Sequence, residues 1–389
     1  MLTHLRVNGF RNLVDDRLDV PAEGVALVGA NAQGKTNLLE AIYYLEIFRS
    51  FRGTRDSRII RFGEEVFRVE GHLSHDDDRR VIAAGYQRTG GVKRVKVDGV
   101  EPPTLGAAIG GVAAVLFTPE DVRLVSDGPE ERRRFLNIML SLNVPGYLDL
   151  LQRYRQALSQ RNAVLRDGGG EAAIRAWDQP LVQAGAEIAF HRARWIGERG
   201  GEFHSVFAEA SGGEAAILEY QPGSVDDAPV PGAGAGEWRE AMTQKLSRQF
   251  ESDRRRSTTQ AGPHRDEVRM YLTGAPDDDG DSTPRDLRHF GSGGQRRTAA
   301  LALRILEART VSERRGRPPL LLLDDLFAEL DADRSRRVVG LLDRTAAGQV
   351  ILTAPKESDL HFRADRLTRW GIHGGRVSTG GPAVARTDR

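Results

Sequence analysis

The spacing of apolar positions changes repeatedly along the chain, and each change predicts a different element. In residues 1–30, Leu5, Val7 and Phe10 partly alternate, and Val25-Ala26-Leu27-Val28 runs apolar into a glycine, which predicts short strands. Over 35–48, Leu38, Leu39, Ile42, Leu45 and Ile47 keep a spacing near that of a helix. Residues 64–100 predict antiparallel strands at 66–70, 81–86 and 93–97, the last closing in the turn Asp98-Gly99. A buried-type strand follows at 113–117. From about 129 to 250 the pattern turns mostly helical, with helices predicted over 130–142, 147–165, 174–199 and 237–256. Loops are predicted at 167–170, 222–236 and 275–284. Beyond 287 the α/β character returns: a helix over 293–310, a strand at 320–323, a helix over 334–345 and a strand at 350–353. The glycine-rich stretch 374–389 predicts a frayed tail. The boundaries expected are an α/β half at 1–125, a helical arm at 126–260, a second α/β half at 261–373 and a flexible tail at 374–389.

Composition narrows the classes. The 389 residues are ample for a large core, and no run of about 18 apolar residues predicts a membrane span. The opening MLTHLRVNGFRNL lacks a long apolar core, so no secretory leader is expected. Cysteine is absent, which removes disulfides and thiolate chemistry and fits a reducing cytoplasm. The nine histidines form no metal-binding spacing. Net charge is +1, so no overall basic coat is visible. Lysine stands only at Lys35, Lys93, Lys96, Lys245 and Lys356, so where it persists a compact ammonium suits the position better than a planar fork.

Three segments carry chemistry. Gly29-Ala30-Asn31-Ala32-Gln33-Gly34-Lys35-Thr36 has the spacing of a phosphate loop, and a predicted strand precedes it and a predicted helix follows. Its glycines let the backbone bend around phosphates, and the amides at the helix start, through Asn37, point at the anion. Lys35 is expected to reach the β- and γ-phosphates of ATP and Thr36 to ligate Mg²⁺. Leu320 to Leu323 end in Asp324 and Asp325: the first carboxylate suits Mg²⁺ at a strand's C-terminal end, and the second is placed to polarise an attacking water. The catalytic pair expected is therefore Lys35 and Asp325. Ser292-Gly293-Gly294-Gln295 precedes a helix, with Ser292 as its N-cap.

In chain order, the phosphate loop, then Ser292 to Gln295, then Leu320 to Asp325, the three resemble the ABC-type ATPases. The resemblance implies an SMC-like ATPase head of α/β type with a mostly helical arm or lid subdomain. It also implies a dimer in which Ser292, Gly293, Gly294 and Gln295 of one subunit face the nucleotide of the other. Ala328-Glu329-Leu330-Asp331 resembles the D-loop of that class, placing Asp331 there. The chain departs in two ways. Asp325 stands where Glu is usual, and Val350 to Ala354 carries no switch histidine. Both imply slow hydrolysis.

More of the chain resembles the RecF family of DNA repair proteins. Leu5-Arg6-Val7-Asn8-Gly9-Phe10-Arg11-Asn12-Leu13 is similar to its opening strand. Asn37-Leu38-Leu39-Glu40-Ala41-Ile42-Tyr43-Tyr44-Leu45 resembles its continuation from the phosphate loop. Phe117 to Val125, Gly128-Pro129, Arg132-Arg133-Arg134-Phe135-Leu136 and Gly262-Pro263-His264-Arg265-Asp266 resemble its internal motifs. The resemblance implies an ATP-dependent homodimer on duplex or gapped DNA without sequence preference. It also implies work with RecR, with RecO and RecA in the pathway, in the cytoplasm at the nucleoid and away from membranes. Candidate DNA contacts are Arg132, Arg133 and Arg134, Arg192 with Arg194, and Arg254, Arg255 and Arg256. A structural, hydrogen-bonding role is expected of His264. Other classes are a non-hydrolysing ATP-switched scaffold and the energy-coupling ATPase of a transporter; the 289-residue span from Lys35 to Asp324 holds a helical insert, which the transporter class lacks.

Overall fold

A computed structural model describes residues 1–75, 78–226, 229, 233–274, 283–328, 330–345, 348–360, 362–363 and 365–379. The chain divides into two compact units, one of Met1–Glu120 with Glu307–Arg389 and one of Asp121–Leu306. The first is built from β1 (Leu2–Asn8), β2 (Asp16–Asp19), β3 (Gly24–Val28), α1 (Lys35–Ile47), β4 (Val66–His75), β5 (Asp78–Gln87), β6 (Val92–Val97) and β7 (Ala114–Phe117). The second holds α2 (Arg123–Ser126), α3 (Pro129–Asn143), α4 (Tyr147–Arg166), α5 (Glu171–Arg175), α6 (Asp178–Ser211), β8 (Ala215–Gln221), α7 (Ala235–Arg256), β9 (Glu267–Thr273), β10 (Arg285–Asp286) and α8 (Leu287–Phe290). Helix α9 (Gly293–Arg315) runs from the second unit into the first, which closes with β11 (Leu320–Leu323), α10 (Ala332–Thr345), β12 (Val350–Ala354), β13 (Thr368–His373) and β14 (Arg376–Ser378).

The first unit has two sheets. One is antiparallel, β2-β1-β4-β5-β6; the other runs β14-β13-β3-β12-β11-β7 and is parallel except at β14. The apolar runs of β3, β7, β11 and β12 are buried at every position, as strands covered on both faces must be. Helix α1 packs its Leu38, Ile42 and Tyr44 into the core with Phe10 and Phe67, whose rings meet edge to face.

The second unit pairs α3, α4, α6 and α7 with the sheet β10-β9-β8. Here the structure departs from the helical pattern expected of 129–250. The helix predicted over 174–199 breaks at Ala176-Trp177, resumes and continues to Ser211. Strand β8 then alternates, with Ala216 and Leu218 buried and Ile217 and Glu219 exposed, and pairs with β9. Because β9 and β10 join that sheet, residues 261–306 pack with the second unit rather than with the α/β half expected to begin at 261.

The tail also differs. Residues 376–378 form β14 on β13, and Gly375 donates its amide to the Gln33 carbonyl at 2.9 Å. Its glycine is required: φ is +77°, and a Cβ there would stand 1.8 Å from the Asn12 carbonyl oxygen. The rest of the expected frayed stretch, 380–389, lies outside the described residues. So do Glu329, 275–282 of the expected loop 275–284, and residues 227, 228 and 230–232 of the loop 222–236. Among the described residues, no helix is long and apolar enough to cross a membrane.

Candidate nucleotide site

The parallel order β3-β12-β11 determines which side chains meet. The loop leaving β3 and the aspartates leaving β11 emerge at the same edge of the sheet, with β12 between them. The loop turns into α1 at Gly34, whose φ of +115° suits glycine; a Cβ would also stand 3.0 Å from Asn12 Oδ1. A Cβ on Gly29 would lie 2.5 Å from the Ile372 carbonyl oxygen. The first intrahelical bond is Leu38 N–H to the Gly34 carbonyl, so the amides of Lys35, Thr36 and Asn37 precede any helical acceptor. Together with the helix dipole they make an anion cradle.

Lys35 is buried at 4% exposure, and its Nζ donates to the Gly29 carbonyl at 2.8 Å and lies 3.7 Å from Asp325 Oδ2. A longer contact of 3.4 Å reaches the Ala30 carbonyl. The Thr36 hydroxyl donates to Asp324 Oδ1 at 3.0 Å, joining side chains 288 residues apart. Burial raises Asp324 to about 6, while bonds from Thr353 and Thr36 oppose the shift and the Asp325 charge adds to it. Asp325 sits in the left-handed region at φ +43°.

Sequence reasoning missed Thr353. Its hydroxyl lies 2.9 Å from Asp324 Oδ1 and 3.0 Å from Asp325 Oδ1, and it accepts the Asp325 amide at 2.9 Å. The signal was its place in β12, the strand between the phosphate loop and the aspartates.

Family-like motifs outside the loop fasten the surroundings. Arg11 holds buried Glu40 by two bonds of 3.0 and 2.9 Å, and Asn37 donates to Asn12 at 2.7 Å. Gln33 is held by the amides of Gly374 and Gly375. Asn31 and Ala32 complete the loop, Ala32 at φ +64°.

Ser292 is the N-cap expected of it. Its Oγ accepts the Gln295 amide at 3.2 Å, and its own amide donates to Gln295 Oε1 at 2.7 Å, a reciprocal capping box ahead of Gly293 and Gly294. The neighbouring Phe290 is 69% exposed. Asp331 caps α10 by accepting the Arg334 amide at 2.7 Å.

The arginine candidates separate sharply. Arg132 is buried, bonds Glu267 at 2.8 and 2.9 Å and donates to the Leu124 and Asp127 carbonyls, so it presents no guanidinium to a phosphate. Arg192 is likewise buried on Asp266 at 2.5 Å. Arg133 is partly buried and donates to the Asp266 carbonyl at 2.8 Å. Arg134 faces Glu131 at 3.8 Å, and exposed Arg194 bonds Glu198 at 2.7 Å. Arg254, Arg255 and Arg256 are exposed, Arg254 beside Glu251 and the Phe250 ring. His264 has the structural role expected: its ring joins the Tyr154 hydroxyl at 2.5 Å and the Thr259 carbonyl at 3.0 Å.

Fold and site together define an ATPase head of the ABC/SMC type. Residues 1–374 match the family model described as RecF/RecN/SMC N terminal domain. The "DNA replication and repair protein RecF" of Myxococcus xanthus is 35% identical, covering 97% of each chain, and that of Caldanaerobacter subterraneus is 33% identical, covering 92% of this chain and 95% of that one. The solved structure of the recombination mediator protein RecF-ATPrS in the RecFOR pathway superposes with a TM-score of 0.85 at 31% identity, covering 98% of each chain. An Smc head bound to the C-winged helix domain of ScpA shares the fold, with a TM-score of 0.54 at 15% identity over 97% of this chain and 96% of that one. The chain belongs to the RecF family.

Proposed function

We propose that this chain is an ATP-dependent DNA-binding protein of recombinational repair. ATP binding drives its dimerisation on duplex or gapped DNA, slow hydrolysis resets it, and it helps RecO and RecR load RecA. The observation that carries the reading is the Thr36–Asp324 bond, which brings the phosphate-loop hydroxyl and the strand-end carboxylate to one point beside the buried ammonium of Lys35.

The loop from Gly29 to Asn37 receives the phosphates. Lys35 is held by a carbonyl and by Asp325, neutral or weak partners that a polyphosphate displaces. Thr36 and Asp324 would hold Mg²⁺, which would supply charge neutralisation to the polyphosphate. Asp325 then orients the attacking water, and its short side chain and the absent switch histidine keep turnover slow. The signature segment supplies the partner's γ-phosphate with a helix N-terminus. Membership of the RecF family and the likeness to the RecF-ATPrS structure favour this reading over a transporter subunit.

Equilibrium binding of a fluorescent ATP analogue and steady-state ATPase with and without duplex DNA test it. The parent binds and turns over slowly, faster with DNA. Lys35→Ala and Lys35→Arg lose binding or turnover by about tenfold or more, because the loop fits a compact ammonium. Parental affinity and turnover in Lys35→Ala would contradict the reading.

A further inference from the structure

Five arginines recur at a period of three just after α1: Arg49, Arg52, Arg55, Arg58 and Arg61. Three residues is the repeat of polyproline II and of the 3₁₀ helix. Around Arg55 the chain adopts both, with Arg55 at φ −65° and ψ 144° and Asp56–Arg58 in a 3₁₀ turn, while Gly53 at φ +72° interrupts the repeat before it. Arg49, Arg52, Arg55 and Arg58 are all exposed.

The acid of this segment is engaged elsewhere. Asp56 accepts the Tyr44 hydroxyl at 3.1 Å and pairs with Lys93 at 2.5 Å. Lys93 also donates to the Phe48 carbonyl at 2.7 Å, tying the segment to β6. Arg52 is shared between the Phe51 ring and Glu40, and Arg61 is bonded to Asp15 and the Leu13 carbonyl. The side chains of Arg49, Arg55 and Arg58 make no hydrogen bond or ion pair among the described residues. This separates them from Arg132 and Arg192, whose guanidinium groups are consumed inside the second unit.

The row ends at an open groove bordered by Arg58, Arg61, Phe62 and Arg88. Phe62 is fully exposed, at 102%. Glu64 and Glu65 also border the groove, and Glu65 faces Arg88 at 3.8 Å.

We infer that this row is a phosphate-backbone surface for nucleic acid, and that Phe62 stacks on a base where one strand of a gapped duplex is unpaired. The inference rests on the DNA-binding reading above. Three exposed guanidinium groups without protein partners, Arg49, Arg55 and Arg58, suit the phosphates of a polyanion, and they carry no base-reading code. An aromatic ring with no packing partner offers a stacking face that any base can use. An acidic protein partner would instead want an apolar centre ringed by charge, and here a fully exposed aromatic, Phe62, stands at the end of the row.

Fluorescence anisotropy on intact and gapped duplexes across a salt series, with a slowly hydrolysed ATP analogue present, tests it. In the triple variant Arg49→Gln, Arg55→Gln, Arg58→Gln, the log–log salt slope becomes shallower by about 0.9 for each phosphate no longer neutralised. The Arg→Lys triple keeps the parental slope, and both triples keep parental nucleotide affinity, which serves as the folding control. Phe62→Ala keeps the slope but weakens gapped-duplex binding by about fivefold or more, with intact duplex unchanged. A glutamine triple with parental slope and affinity, in a parent that binds DNA, overturns the surface and leaves the functional reading standing. A parent that binds no DNA in any nucleotide state overturns the functional reading together with the surface.

Discussion

Thr353 has one hydroxyl proton and two carboxylate oxygens within reach, at 2.9 and 3.0 Å, and the same hydroxyl accepts the Asp325 amide. It is 1% exposed. Removing that hydroxyl leaves the partly buried Asp325 amide without its acceptor, at a cost on the order of 1 kcal/mol, and frees the left-handed turn that aims Asp325. Thr353 is thus a positioning residue for the aspartate pair. Thr353→Val should lower kcat by about tenfold or more while nucleotide affinity stays within about twofold, and Thr353→Ser should restore turnover. Equal losses of affinity and turnover in both variants would show a packing role instead. In a chain without a switch histidine, the strand between the phosphate loop and the aspartates still contributes to the site: its hydroxyl braces the carboxylates from the side.

The segment Gly262 to Asp266 ties several elements of the second unit together. Asp266 bonds Arg192 of α6 at 2.5 Å, the Tyr220 hydroxyl of β8 and the Gly223 amide at 2.8 Å. His264 bonds Tyr154 of α4, and burial lowers its pKa to about 4, aided by the nearby charges of Arg265, Arg133 and Arg192. An unfolded histidine protonates near 6.5, so below that pH the unfolded chain takes up a proton that the folded chain refuses. Stability is therefore level above pH 6.5 and falls as the pH drops toward 4, by about 2 kcal/mol near pH 5 from this residue. Urea midpoints at neutral pH and near pH 5 should show a smaller difference in His264→Gln than in the parent; an equal difference would remove His264 as the cause.

Legibility in the sequence follows from how local each signal is. The phosphate loop, the leucines before Asp324 and the cap at Ser292 are contiguous patterns with one structural solution each, and they stand where their spacing put them. Strands β8 and β9 were hidden because their period-two pattern is short and lies among helices. The close approach of Gly375 to Asn12 looked like fraying because glycine is written the same way in both. Arginine partners are the least legible of all: Arg132 and Arg134 are two residues apart, yet one is enclosed by Glu267 and the other is half-exposed beside Glu131.

At the scale of the molecule, a net charge of +1 gives one chain no general attraction for DNA. Two chains joined through nucleotide would double each local arginine row, so that binding would depend on the dimer. Ser292 caps the helix that begins at Gly293, next to an exposed Phe290, and in the proposed dimer this helix end would face the partner's nucleotide. Light scattering decides the matter, by weighing the full chain in solution with ADP and with a slowly hydrolysed ATP analogue. A single chain is expected with ADP and a doubled mass with the analogue, with no doubling for Ser292→Arg although that variant still binds the nucleotide. A mass that is the same in both nucleotide states, or a Ser292→Arg protein that dimerises as the parent does, would contradict ATP-driven pairing through the signature segment.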